Sequence, residues 1–389
     1  MKILRVIVTM NPSYGGPCQG IRNSVPALRN LGIDTEVLSV DDPESDFLGN
    51  DDFLIHAVGP SRTKYSFTFK QDLWLKDNLH RYEAVLIHGL WQYSSYGAYK
   101  VWSSLKKKGV SVPPMYIMPH GMLDPYFQKA SDRKLKAFRN RIFWRLFEKS
   151  SVNGVSGILF TCEQELILAR NTFTDYKPKA EINVGYGIQE PPSLNQAQVN
   201  AFYKACPTLK KKPYWLFLSR IHPKKGVDNL IEAYKILKSK RKSIPDLVIA
   251  GPGMNTDFGE KLLRLTNTET QIHFPGMLQG AAKWGAFYEC EAFVLTSHQE
   301  NFGIAVVEAM ACAKPVLISN QINIWREIAD GGAGLVESDS VAGAVKLFER
   351  WSNMASGERE KMGENAYRTY IDKFTTQAFA NNLMEVFQE

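Results

Sequence analysis

The sequence predicts two doubly wound α/β domains, each on a parallel sheet, facing one another across a cleft, with a helical C-terminus. Three observations carry this expectation. Short runs rich in Val, Ile, Leu and Phe alternate with helical stretches in both halves of the 389-residue chain. Several of these runs are apolar throughout, as strands covered on both faces must be. The alternation pauses once, around 185–213, where glycines, prolines and the Lys210-Lys211-Lys212 run show no period.

In the first half, 4–10, 36–40, 53–58, 84–88, 115–118 and 157–160 read as strands, and 19–31 as a helix closed by Gly32 at its C-terminal cap. In the second half, 215–218, 247–250, 272–274, 293–295 and 316–318 read as strands, and 340–389 reads as wholly helical. The expected division is 1–190 and 214–370 as domains, 191–213 as linker, and 371–389 as a helix returning to the first domain.

Composition narrows the function classes. At 44% hydrophobic and 22% charged the chain is not disordered. No run approaches the roughly 18 apolar residues a membrane span needs, and no signal-peptide pattern opens the chain. A cytoplasmic protein is expected. Five cysteines without a Cys-x-x-Cys pair argue against a disulfide framework or zinc site, and Cys162, Cys290 and Cys312 should be buried. The net charge of +7 is unevenly spread: 204–242 carries twelve basic residues against Asp228 and Glu232, and 129–149 eight against Asp132 and Glu148. Such faces suit an anionic partner, whether nucleic acid, lipid headgroup or phosphorylated small molecule.

In doubly wound sheets ligands bind beyond the carboxyl ends of strands. There the sequence places Glu300 on a loop, Gly303 at a turn and Glu308 in the first turns of a helix, with the N–H groups of Phe302 to Ala305 free to meet an anion. Arg220 follows another strand with a planar fork for paired oxygens, and Lys225 adds a point charge. The two can neutralise a diphosphate without a metal. Lys224 reads as a solvated charge. The Gly15–Gly16 pair permits a tight turn or close backbone approach, His88 and His120 close strands, and 250–253 reads as a turn more than a contact. No Asp-x-Asp, His-x-x-x-His, phosphate-loop lysine or Gly-x-Ser-x-Gly pattern occurs, so no metal or other cofactor is expected.

Together these segments resemble the retaining glycosyltransferases of family 4, which have the GT-B fold of two Rossmann-like halves. The resemblance runs along almost the whole chain. It passes from Gly15–Gly16 through His120–Gly121, Ser219–Arg220 with Lys225, Gly251-Pro252-Gly253 and Phe274-Pro275-Gly276 to the 300–315 block, its most specific part. The Pro119-His120-Gly121-Met122-Leu123 stretch and the basic helix after it resemble members that build bacterial surface polysaccharides. The resemblance implies an N-terminal acceptor-side domain and a C-terminal nucleotide-sugar-binding domain. Arg220 and Lys225 would hold the donor diphosphate and Glu308 the ribose. Glu300, with backbone at Phe302, Gly303 and Ile304, would hold the donor sugar. Main chain near Met277 would meet the base, Gly251 would be another substrate-binding position, and Gly15, Gly16 and His120 would face the reacting centre. The sequence departs from the family at Ala313, where glycine is usual, which puts local packing in question.

The implied activity is transfer from a nucleotide sugar, UDP favoured, to a saccharide or lipid-linked saccharide with retention of configuration, in polysaccharide biosynthesis. Rival readings are a non-catalytic membrane or nucleic-acid module, or a nucleotide-sugar hydrolase or epimerase. The intact Arg220, Lys225, Glu300 and Glu308 favour the transferase, with no nucleic-acid partner. In 131–149, Leu135, Phe138, Ile142 and Leu146 recur at helical spacing among basic residues. The preferred reading is a core stripe with a solvated basic face; peripheral contact with anionic membrane at its inner face is the alternative.

Overall fold

The computed structural model describes residues 1–61, 63–129, 134–241, 243–267 and 269–388. Residues 131–133 of the basic segment and Lys242 therefore lie outside the described residues. The chain forms two compact units, Met1–Gly187 with the segment from Thr375 onward, and Ile188–Phe374.

The first unit holds seven parallel strands: β1 (Lys2–Ile7), β2 (Asp34–Ser39), β3 (Ile55–Ala57), β4 (Ala84–His88), β5 (Met115–Met118), β6 (Gly157–Phe160) and β7 (Glu181–Asn183), in the order β3-β2-β1-β4-β5-β6-β7. The second holds six: β8 (Tyr214–Leu218), β9 (Asp246–Ala250), β10 (Ile272–Gly276), β11 (Ala292–Leu295), β12 (Val316–Ser319) and β13 (Gly334–Glu337), in the order β10-β9-β8-β11-β12-β13. Both sheets are the parallel, doubly wound kind the apolar runs foretold. The central strands β4, β5, β6, β9, β11 and β12 are buried along their whole length, because crossover helices cover both faces. Two edge strands escaped sequence reading. Glu181–Asn183 and Gly334–Glu337 are short and partly solvated, so they carry little of the apolar signal that marks a central strand.

The first helix, Gly16–Asn30, ends as expected at Gly32, whose φ of 74° lets the Ile33 N–H reach the Leu28 carbonyl. The segment read as a linker, 191–213, is instead structured. Asn195 caps a helix, Gln196–Ala205, in a reciprocal capping box with Gln198, and this helix packs on the helix Gly280–Glu289 of the same unit. The prolines and lysines that hid its period flank it. The C-terminal helix Thr376–Gln388 buries Phe379, Leu383 and Phe387 in the first unit's core beside Leu28, Ile33 and Leu159. All five cysteines are buried, and none forms a disulfide among the described residues.

The expected core stripe of the basic segment is overturned. The helix Lys134–Phe143, continued by a π-turn at Trp144–Glu148, turns Ala137, Asn140, Trp144 and Glu148 inward. Leu135, Phe138, Ile142 and Leu146 stay exposed, at 88, 65, 41 and 62%. Spacing alone cannot choose between two stripes of equal period, and here the smaller, mixed one found the core.

Ala313 shows why glycine suits its position. The helix Ile304–Ala311 ends in a reversed turn, with Ala313 N–H bonded to the Met310 carbonyl and Lys314 N–H to the Ala309 carbonyl, which forces φ of 56° at Ala313. A left-handed conformation costs a Cβ-bearing residue about 1–2 kcal/mol. Part of that gain is lost through the greater unfolded-state freedom of glycine. Ala313→Gly should therefore stabilise the protein by about 0.5–1 kcal/mol, read as a raised midpoint in urea unfolding; an unchanged or lowered midpoint would refute the strain.

Candidate functional site

Where crossovers wind outward in both directions from one adjacent pair of strands, the loops leaving that pair diverge and open a crevice at its carboxyl end. In the second unit that pair is β8 and β11. Residues 219–226 leave β8, and 296–303 leave β11. They are stitched together: His298 N–H donates to the Lys224 carbonyl at 2.9 Å, and Thr296 Oγ1 to the Gly226 carbonyl at 2.9 Å. Gly226 has φ of 63°, and any Cβ there would collide with the Thr296 carbonyl. Only glycine permits the approach.

That contact seats Lys225, buried at 8% exposure, in an ion pair with Glu300. The Glu300 backbone is itself anchored, its N–H bonded to the Gln321 carbonyl at 2.9 Å and its carbonyl to the Asn323 N–H at 3.0 Å. Arg220, at the end of β8, is exposed and makes no ion pair among the described residues. Gly303 (φ 82°) opens the helix Ile304–Ala311, and a Cβ on it would lie 3.6 Å from Glu300 Cγ. Phe302 turns its ring into the unit against Phe374, leaving its backbone for contact. Ile304 stands in the first turn, 37% exposed. Glu308 is joined to Lys283 at 2.6 Å rather than to Lys225. Burial pushes its carboxyl above the usual range, and the lysine opposes this. Gly251 does not face open space: a Cβ there would strike the Ser219 carbonyl, so its missing side chain lets the β9 and β8 loops touch. Met277 follows Gly276 at the end of β10 and is 59% exposed.

In the first unit the diverging pair is β1 and β4. A pocket of about 300 Å³ lies at their carboxyl ends, lined by Thr9, Tyr14, Cys18, His88, Gly89 and Met122 among others. Gly15 has φ of 81°, and neither it nor Gly16 has any atom within 4 Å of where a Cβ would lie. Tyr186 donates to the Gly16 carbonyl at 2.6 Å and sets its ring edge-on to His120. His120 Nε2 lies 2.9 Å from His88 Nδ1. Burial, with the Arg5 guanidinium nearby, drives His120 down to about 3 and His88 well below its usual range, so both are neutral. His120 and Trp91 have positive φ, and each turn is pinned by a buried carboxylate. Glu165 accepts from the Gly121 N–H and from Thr161, and Glu148 accepts from the Trp91 N–H at 2.8 Å. Glu148, fully buried, has a carboxyl raised to about 7.

Sequence reading missed Lys283, Glu148, Glu165, Tyr186 and Arg5. Only Glu165, an acid in the first turn of a helix after a strand, gave a local signal. Among the described residues, no group of three or more His, Cys, Asp or Glu side chains converges to hold a metal, and no helix is long and apolar enough to cross a membrane.

Two parallel Rossmann-like sheets, each with its crevice-forming loops, define the GT-B architecture, and solved structures agree. The Anabaena protein HepE, crystallised with UDP and glucose, superposes with a TM-score of 0.70 over 100% of this chain and 99% of its own, at 15% identity. The sequence model of the glycosyl transferases group 1 family matches residues 201–369. This chain is 23% identical to a probable sucrose-phosphate synthase of Thermosipho melanesiensis over 98% of its length and 92% of the relative's. It is 26% identical to the capsular polysaccharide biosynthesis glycosyltransferase CapM of Staphylococcus aureus over 44% of each. The chain spans less than half the length of CapM and of several other relatives that it matches. The residues that match the family model lie within the second unit, Ile188–Phe374.

The neutral histidines set a pH dependence. Unfolded, each takes a proton below about pH 6.5. Native, each resists, so its stabilising effect is complete above that pH and drains away as pH falls toward the depressed native value. The slope approaches about 1.4 kcal/mol per pH unit for each histidine. Denaturant unfolding at pH 7, 6 and 5 should show His88→Gln losing less stability on acidification than the unaltered protein, by about 1 kcal/mol or more. Equal losses would mean that these imidazoles are not held neutral.

Proposed function

We propose that the protein transfers a sugar from a nucleotide-sugar donor, with UDP as nucleotide, to a saccharide or lipid-linked saccharide acceptor in polysaccharide biosynthesis, retaining anomeric configuration and working at the inner face of a membrane. The observation that carries this reading is the Lys225–Glu300 pair bridging the β8 and β11 loops beside the exposed Arg220. The second unit takes the donor and the first the acceptor. As the bond from the sugar's anomeric carbon to the diphosphate breaks, negative charge gathers on the phosphate oxygens and positive charge on the sugar ring. Arg220 offers a bidentate fork to the phosphates. Lys225 has three N–H donors and Glu300 uses one, so its charge stays available. Groups placed before charge develops stabilise the transition state most. The first-turn N–H groups at Gly303 and Ile304 add the helix-end dipole. Glu300 meets the sugar, Glu308 with Lys283 the ribose, backbone at Met277 the base, and the Gly15–Gly16 turn and neutral His120 the reacting centre. HepE's complex with UDP and glucose supports UDP as nucleotide. CapM's name supports a polysaccharide product.

Two measurements test the reading. Glu300→Gln should lower kcat by roughly 10²-fold, because its carboxylate faces charge that develops only during transfer. Glu308→Gln should instead weaken donor binding by roughly 10- to 100-fold, the loss of a hydrogen bond to a charged group. Steady-state kinetics with donor and acceptor varied would separate them; the opposite pattern reverses the roles, and no effect from either removes the site. Turnover should also survive EDTA, since Arg220 and Lys225 bring the charge a divalent cation would otherwise supply. Activity lost in EDTA and restored by Mg²⁺ or Mn²⁺ would overturn that assignment.

A further inference from the structure

We propose that the outer face of the helix Lys134–Phe143, continued through Leu146, is a docking surface for an anionic lipid bilayer. Four large apolar side chains, Leu135, Phe138, Ile142 and Leu146, stand in water on one stripe, with Leu135 at 88% exposure. They cannot be core residues displaced by chance rotation. The inward face of the same helix is already filled by Ala137, Asn140, Trp144 and Glu148, and Trp144 stacks on Phe173 at 4.3 Å.

Charge selects the occupant. At about 100° per residue, Lys134 and Arg141 fall on one side of the stripe and Lys136 and Arg139 on the other, with Arg145 continuing the first side. All five are exposed, and none makes an ion pair among the described residues. Among the described residues, the two acids nearby are already engaged: Glu148 is buried on Trp91 and Ser95, and Asp175 is paired with Lys149 at 2.6 Å. A second protein covering this stripe would have to provide carboxylates on both sides of it. A sheet of anionic headgroups over acyl chains meets both flanks and the stripe at once, the arrangement of helices that lie in the membrane interface. Beside the Arg141–Arg145 flank runs a groove of about 640 Å³ over Trp144 and Phe173, deep enough to admit a headgroup. The surface adds to the proposed transfer reaction the place where a lipid-linked acceptor is met, and in that respect rests on that reading; the binding itself does not.

The test is cosedimentation of the full chain with phosphatidylcholine vesicles and with vesicles containing about 30% phosphatidylglycerol, a fraction that gives the surface a strong negative potential. The protein should pellet with the anionic vesicles and remain soluble with the neutral ones. Leu135→Ser with Phe138→Ser, and separately Arg139→Gln with Arg141→Gln and Arg145→Gln, should each weaken binding at least about tenfold. Because all five positions are exposed, both variants should keep the original melting temperature and the thermal shift given by UDP. Failure of the UDP shift in the unaltered protein would count against the donor site and leave vesicle binding standing. Equal behaviour with both vesicle types, or variants that pellet like the original, would overturn the proposal. So would a dimer in light scattering that Leu135→Ser with Phe138→Ser dissolves, which would assign the stripe to a second copy.

Discussion

Lys225 needs a carboxylate, because an ammonium at the buried end of a parallel sheet is costly to leave unpaired, and it finds one 75 residues away on Glu300. Removing one partner of such a pair commonly costs about 3–5 kcal/mol. Most of the second unit's local design serves this contact. The adjacency of β8 and β11 brings the two loops together, glycine at 226 lets them touch, and the loop after β12 grips the Glu300 backbone from behind. The pair is therefore a fixed feature of the scaffold, in which Glu300 engages one of the three N–H donors of Lys225.

The first unit meets a different constraint at the equivalent place. The carboxyl ends of its β4 and β5 strands carry paired imidazoles, His88 and His120, instead of an ion pair, kept neutral by burial and by the nearby Arg5 cation. Neutral imidazoles can both donate and accept, which suits hydroxyl-bearing ligands better than anions. The backbone nearby is left-handed at Trp91 and His120, and in those turns Glu148 and Glu165 take the N–H groups of Trp91 and Gly121. One sheet end thus holds an ion pair with an exposed arginine on the same loop, the other two neutral imidazoles, on one repeated topology.

The helix Lys134–Phe143 shows how packing and surface chemistry divide a single element. Its core side uses small and mixed residues, one of them the tryptophan stacked on Phe173, while its largest aliphatic side chains stay outside. That division costs solubility unless something covers the stripe, and the basic residues alongside restrict what can.

The sequence alone determined the parallel α/β class, because central strands buried on both faces must be apolar runs, and it determined where the strand-end loops fall, because strand ends followed by glycine and charge are visible locally. Arg220, Lys225, Glu300, Gly303, His88 and His120 were legible for that reason. Which charges meet was not legible. The Lys225–Glu300 and Lys283–Glu308 pairs join residues 75 and 25 positions apart, and only strand order brings them together. The edge strands, the helix inside the expected linker, the left-handed turn at Ala313 and the outward turn of the Leu135 stripe were likewise decided by tertiary packing. Each depends on which neighbour fills a face, and a one-dimensional pattern with two equivalent faces does not contain that information.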